Sequence, residues 1–497
     1  MRLVIGHWLL VMSLAFVATP AFAAPAVKAT AKEQHPSVVR VNATDQPWDF
    51  FHPWSKRAPY SRRALGTVLS GGRVLVTAEL VANANYVELE KAEGGDRMPA
   101  RVECVDYEAN LALLKPEDDK FLNGIKPLDV SDAQVGDHVS VWQLESTGAL
   151  LATDALVTTV EVSKYPIDDT SLLTYRLTSS LQYREGSFTV PVVVGSKVIG
   201  LLMRYDTRTQ NVDVIPGPVI DHFLRDAADK HYGGFPRAGV NFAPMRDPQL
   251  RRFVGIGDDI NGGVYVTQVQ KGSPGDLAGI RPGDVILEIG GKAIDQDGNY
   301  VDKLYGKISM VHFISLHNDG EKVPFKIFRD RGVQQIDVTL QHRAASDYVI
   351  EPYVIDKAPK YYVLGGLVLQ ELSRQYLKEW GEFQKKAPER FVYYDRYQSE
   401  LFENDPRKHI VILSHVLPTP STIGYEELSY VVITKINDVP LMSLEDVARA
   451  LQNPVNGFHK VEFEDNPRVI YLDAKQTEQD AAALMKNYGV PAISRLE

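Results

Sequence analysis

Cysteine is almost absent from this 497-residue chain: Cys104 is the only one. A lone thiol excludes an internal disulfide, and Cys104 reads as a small buried apolar residue. Positive charge is also scarce. Lys and Arg number 54 against 64 Asp and Glu, for a formal net charge of −10. That balance leaves no polybasic patch for anionic lipid and argues against a nucleic-acid partner. Beyond the first two dozen residues no run is apolar for long enough to span a bilayer. Neither a cofactor nor a metal site is expected.

What is present begins with "MRLVIGHWLLVMSLAFVATPAFA". One charge, Arg2, precedes a short apolar run, and Ala21-Phe22-Ala23 is a small-x-small cleavage site. Residues 1–23 therefore read as a secretory signal peptide, with a periplasmic destination and no integral membrane segment after cleavage. Residues 24–35 are small and polar, a flexible leader. From 36 to 225, short apolar runs such as "RVLVTAELV", "LALLK" and "DHVSVWQL" alternate with turn residues, the pattern of a barrel or sandwich. "GPVIDHFLRDAADKHY" has helical spacing and closes that domain. The Gly- and Pro-rich "GGFPRAG" marks a boundary. A mixed α+β module then covers 232–343, and a second covers 352–497 with a polar, aromatic-rich insertion at about 373–408.

Within the first segment, "REGSFTVPVVVG" (184–195) has the outline of the Gly-x-Ser-Gly-Gly-Pro nucleophile loop of trypsin-like proteases. Gly186 and Pro191 keep their spacing. Phe188 stands where the serine belongs, and Thr189 and Val190 stand where the glycines belong. "VTAELV" places Glu79 at the position of the general-base histidine. "DYEANLALLK" places Asn110 at the position of the orienting aspartate, and "VGDHVSVWQL" matches a further barrel strand. In this order the landmarks resemble the HtrA/Deg family of exported serine proteases. The resemblance implies a multidomain, mainly β chain: a trypsin-like double β-barrel followed by two α+β PDZ-like domains.

Chemistry then argues against catalysis. A triad needs a nucleophile, a base for its proton and a group that fixes the base. Phe188 offers no nucleophile, Glu79 gives little driving force near neutral pH, and Asn110 has no imidazole to stabilise. Thr189 and Val190 are β-branched and are expected to resist a glycine-type oxyanion loop. Ser187 is the rival nucleophile, but His52, His138 and His222 do not lie where its base should be. The plain structural readings are that Phe188 fills the vacated pocket and that Glu79 is a solvated or hydrogen-bonded acid.

"SPGDLAGIRPGDVILEIGG" matches the PDZ pattern almost throughout. Leu277, Ala278 and Ile280 are expected on a short apolar helix. The resemblance implies a carboxylate-binding loop at Arg237, Ala238, Gly239 and Val240. Arg237 would add charge there, with Val240 and Phe242 facing Met310 and Phe313 across an apolar pocket. "YYVLGGLVLQELS" puts Gly365, Gly366, Leu367 and Val368 at the corresponding place in the second module. That module resembles the degenerate second PDZ of plant-type Deg proteases, which implies assembly or internal docking. The resemblance further implies a homo-oligomer built on trimers. The combined expectation is a pseudoprotease that binds peptides or unfolded protein C-termini as a chaperone, adaptor or regulatory subunit. The alternatives are an active endopeptidase using non-standard residues and a regulatory subunit co-assembled with an active Deg partner.

Overall fold

The computed structural model describes residues 37–145, 147–167, 170–182, 188–228, 232–257, 260–398, 400 and 405–497. The expected signal peptide and leader lie outside the described residues. Among those described, no helix is long and apolar enough to cross a membrane.

Six strands, β1 (Val38–Asp45), β2 (Tyr60–Leu69), β3 (Arg73–Val76), β4 (Ala84–Lys91), β5 (Arg97–Asp106) and β6 (Leu111–Pro116), close a barrel in the order β1-β2-β3-β6-β5-β4. Alternation drives closure: β1 turns Val39, Val41 and Ala43 inward against Val74, Val76 and Leu89. The second barrel uses β7 (Asp129–Val130), β8 (His138–Leu144), β9 (Leu150–Lys164), β10 (Ser171–Ser179), β11 (Pro191–Val194), β12 (Lys197–Asp206) and β13 (Asn211–Pro216). Here β11 pairs with both β8 and β12 and shuts the sheet on itself, while β7 joins β12 in parallel. The expected closing helix is α1 (Gly217–Asp226).

The first PDZ module comprises β14 (Val240–Pro244), α2 (Pro248–Val254), β15 (Val264–Val269), α3 (Pro274–Leu277), β16 (Val285–Ile289), β17 (Lys292–Ala293), β18 (Asn299–Asp302), β19 (Gly306–Ser309), α4 (Met310–Ser315), β20 (Lys322–Arg329) and β21 (Gly332–Thr339). Its sheet runs β14-β15-β16-β20-β21, leaving β14 at an edge. Ser273 caps α3 through the Asp276 N–H, and Pro274 starts the turn. Leu277 departs from expectation. It is 73% exposed, and Ile280 alone of the three apolar residues is fully buried. One continuous apolar cluster joins this module to the second barrel through Tyr175, Phe235 and Met310.

The second PDZ module contains β22 (Tyr361–Leu364), β23 (Leu367–Glu371), α5 (Arg374–Leu377), α6 (Phe383–Lys386), α7 (Glu389–Tyr397), β24 (Val411–Val416), β25 (Val431–Ile436), β26 (Val439–Pro440), α8 (Asp446–Ala450), β27 (Phe458–Phe463), β28 (Val469–Asp473), α9 (Ala474–Tyr488) and β29 (Ser494–Arg495). Its sheet runs β28-β27-β25-β24-β23-β22-β29. The insertion supplies α5, α6 and α7. Their aromatic residues receive the loop between β1 and β2: Phe50 is buried among Tyr376, Phe391 and Ile412. Phe51 meets Trp380 edge-on at 5.1 Å. The Gln370 amide donates to the Phe50 carbonyl at 3.0 Å, Arg57 pairs with Glu379, and Arg495 donates to the Pro53 carbonyl.

Candidate functional site

The residues expected at the three triad positions are linked through Arg62 and the Glu79 backbone. Glu79 sits in a single 3-10 turn, Ala78–Leu80, after β3. Its N–H donates to Asn110 Oδ1 at 3.0 Å, and Arg62 Nη1 donates to its carbonyl. Asn110 is fully buried in a left-handed conformation, φ 54°. Its oxygen holds the Glu79 backbone, while its Nδ2 is buried without a partner among the described residues. Phe188 packs on the first-barrel core, with the Arg62 guanidinium 4.7 Å above its ring centre. The aromatic ring thus occupies a packed, cation-covered position. Burial raises the Glu79 pKa, with Arg62 and Arg204 opposing it. Glu79 is half-buried, so the reading of it as a solvated surface acid is corrected.

Thr189 also departs from expectation. It adopts φ 53° despite its branched Cβ, because it is fully buried and its hydroxyl donates to the Leu65 carbonyl. Val190 is buried in the second-barrel core and its carbonyl accepts from the Leu202 N–H at 2.9 Å. Ser187 lies outside the described residues. The three histidines are engaged elsewhere: His52 with Asp49 at 3.1 Å, His222 against Phe235 at 4.4 Å, and His138 opposite Leu156 on the β8–β9 ladder.

The second candidate site is a cleft of about 580 Å³ beside the β14 edge. Ala238, Gly239, Val240 and Phe242 line one side, and Met310, Val311 and Ile314 of α4 line the other. Phe313 is not in this lining. One position away on the helix, it turns toward Tyr300 at 5.4 Å and His317 at 4.9 Å, and Ile314 faces the cleft instead. Gly239 has φ 68°, and a Cβ there would stand 2.2 Å from the Ser273 Cβ, so only glycine fits. The described backbone makes no use of the Ala238 and Gly239 N–H groups. Lys164, Thr170 and Leu172 of the second barrel and Glu400 of the insertion complete the lining.

Arg237 lines the cleft too, but its charge is committed elsewhere, which corrects its expected role. Its guanidinium donates to Glu108 Oε2 at 2.8 Å, to the Tyr348 hydroxyl at 2.7 Å and to Thr170. Glu108, 3% exposed on its side chain, also meets His342 Nε2 at 3.1 Å. The first barrel and both ends of the first PDZ module therefore meet at one carboxylate, and Arg237 extends the junction to the second barrel through Thr170. Beside it, Asp106 accepts from Tyr232 and from the Ala109 N–H. Burial, with Glu108 adding repulsion, pushes Asp106 up to about 6.

A carboxyl whose pKa is raised by folding contributes stability that is full below its unfolded pKa and lost as pH rises through about 6. Asp106→Asn keeps an acceptor for Ala109 and gives Tyr232 a donor. The variant should therefore lose less melting temperature than the wild type between pH 5 and pH 8. Parallel slopes in thermal scans at the two pH values would contradict this.

The second module's glycine pair is placed differently from its expected role. Gly365 and Gly366, at φ 59° and 121°, form the tight turn between β22 and β23, which pair antiparallel from Leu364↔Leu367 onward. Leu367 and Val368 are fully buried strand residues. A Cβ on Gly366 would stand 2.4 Å from the Leu417 carbonyl, and the Gly365 carbonyl accepts from Thr419. By module order β23 matches β14. Its outer edge, the one a peptide would extend, is thus already filled by β22 of the same chain.

Domain profiles and sequence relatives agree with this architecture. PDZ domain profiles match residues 265–309 and 350–494. Putative protease Do-like 3, mitochondrial, of Arabidopsis thaliana is 24% identical over 467 residues, covering 92% of this chain and 79% of the relative. Protease Do-like 2, chloroplastic, of the same plant is 25% identical over 464 residues, covering 92% of this chain and 74% of the relative. Among solved structures, an HtrA-type protease AlgW with decapeptide aligns at 15% identity and TM-score 0.47, over 62% of this chain and 96% of that one.

Proposed function

The chain belongs to the HtrA/Deg family, and from that premise we propose that it is a pseudoprotease that captures peptide C-termini through its first PDZ module. The observation that supports the reading is the Phe188–Arg62–Glu79–Asn110 cluster, which offers no hydroxyl or thiol nucleophile and no imidazole base at the expected triad positions. The β14 cleft supports the remaining role. An extended peptide adds to a free strand edge, its carboxylate meets backbone N–H groups at Ala238 and Gly239, and its last side chain enters between Val240 and Ile314. The filled edge on β23 favours internal docking in the second module. Export to a periplasm and assembly as a homo-oligomer complete the proposal, with a role in handling unfolded protein.

Mature protein should neither label with a fluorophosphonate nor degrade casein. Phe188→Ser should stay at least about 10³-fold below an active relative, because it lacks an imidazole base. Stoichiometric labelling that vanishes in Ser187→Ala would overturn the proposal and make this an active endopeptidase.

A further inference from the structure

Between the end of the first PDZ module and residues 405–409 of the second lies a cavity of about 360 Å³. Lys271, Arg343, Arg407 and Lys408 line it, against Asp347 and Asp405. This concentrates positive charge in a chain whose formal net charge is −10.

The four cations are not equally compensated. Arg407 is neutralised by Asp405 at 2.8 Å and Glu464 at 2.8 Å, and donates to the Tyr394 hydroxyl at 3.2 Å. Arg343 lies 4.2 Å over the Tyr348 ring, donates Nη2 to the Asp347 carbonyl at 2.5 Å, and feels the Glu400 and Asp347 carboxylates without a direct ion pair to either among the described residues. Its Nη1 is enclosed without a partner. Lys408 has no ion pair among the described residues, and Lys271 approaches Asp276 only at 4.0 Å. The backbone here is held: the N–H groups of Lys408 and His409 both donate to the Met442 carbonyl, at 2.8 and 3.0 Å. A guanidinium held over an aromatic ring, beside an exposed ammonium with no ion pair among the described residues, is an arrangement that can receive an oxyanion.

We propose that this cavity binds a small phosphate-class oxyanion through Arg343 and Lys408, with Lys271 at the rim, and that the bound anion ties the first PDZ module to the second. The volume exceeds what one phosphate group fills, so a diphosphate suits it better than a monophosphate.

The test is calorimetric titration of the full chain with inorganic phosphate, pyrophosphate and citrate, at ionic strength held constant with sodium chloride. Saturable binding is expected, tightest for pyrophosphate. Lys408→Gln and Arg343→Gln should each weaken it at least about tenfold, that is by about 1.4 kcal/mol, while Lys322→Gln on β20 leaves it unchanged. Lys408 is exposed, so its variant tests the site even if Arg343→Gln folds poorly. Heat that tracks ionic strength alone, equal binding by all three variants, or citrate matching pyrophosphate would overturn the assignment.

Discussion

Glu108→Ala should cost the chain about 3–5 kcal/mol and lower its first unfolding transition by several degrees. That is the range for breaking a buried ion pair by removing one partner. Glu108 accepts from Arg237 at 2.8 Å and meets His342 at 3.1 Å, and its own side chain is 3% exposed. Truncation leaves the guanidinium beside an imidazole whose pKa the carboxylate had raised, with neither group reaching water fully. Two controls separate charge from packing. Glu108→Gln keeps an acceptor and should lose less. Adding Arg237→Met to Glu108→Leu removes both charges and should recover much of the loss. A Glu108→Ala protein whose first transition matches the wild type would show that the junction carries no such load. Because a chain of several modules need not unfold in one step, the comparison belongs at the first transition.

The second large effect concerns the cleft. A short peptide with an apolar last residue should bind the full chain with a Kd of about micromolar or weaker. Its C-terminal amide should bind at least tenfold more weakly, since the amide loses the charge that the loop N–H groups meet. Gly239→Ala should abolish the difference, because the added methyl is strained at φ 68° and collides with Ser273. Ile314→Asp should weaken the free acid while leaving the acid-to-amide ratio nearly intact, since it acts on the last side chain alone. Equal affinity for acid and amide in the wild type would leave the module without a carboxylate site.

The barrel and PDZ frames were legible because strand alternation and turn glycines are local. "LALLK" and "PVVVGSKVIG" read as strands before any contact is known, and they are β6, β11 and part of β12. What the sequence concealed was orientation and long-range pairing. Arg237 opens the loop expected to take a carboxylate, so its sequence neighbours point to a ligand. Its actual partner, Glu108, lies 129 residues away. Phe313 and Ile314 are adjacent on a helix, and only tertiary packing decides which one faces the cleft. Gly365–Gly366 resembled a carboxylate loop because a glycine-rich entry to a strand suits a ligand and a hairpin turn alike. Leu277 fitted an apolar pattern, but the four-residue helix buries Pro274 and Gly275 and leaves Leu277 exposed. Thr189 shows that one side-chain hydrogen bond can hold a branched residue where propensity disfavours it.

The aromatic loop between β1 and β2 has a consequence for how the chain is made. Pro53 receives its hydrogen bond from Arg495, 442 residues later, and Phe50 receives its own from Gln370, 320 residues later. During synthesis the first barrel emerges before the partners of its β1–β2 loop: Phe50 and Phe51 wait for residues of the second PDZ module as far as Val432, and Trp54 waits for Leu484 and Val490. Closing so long a span costs only slowly increasing loop entropy, but it delays the contact and exposes apolar surface meanwhile. Maturation should therefore be slowest at this seam, and the nascent protein most dependent on chaperones at the stage when its barrels are already formed.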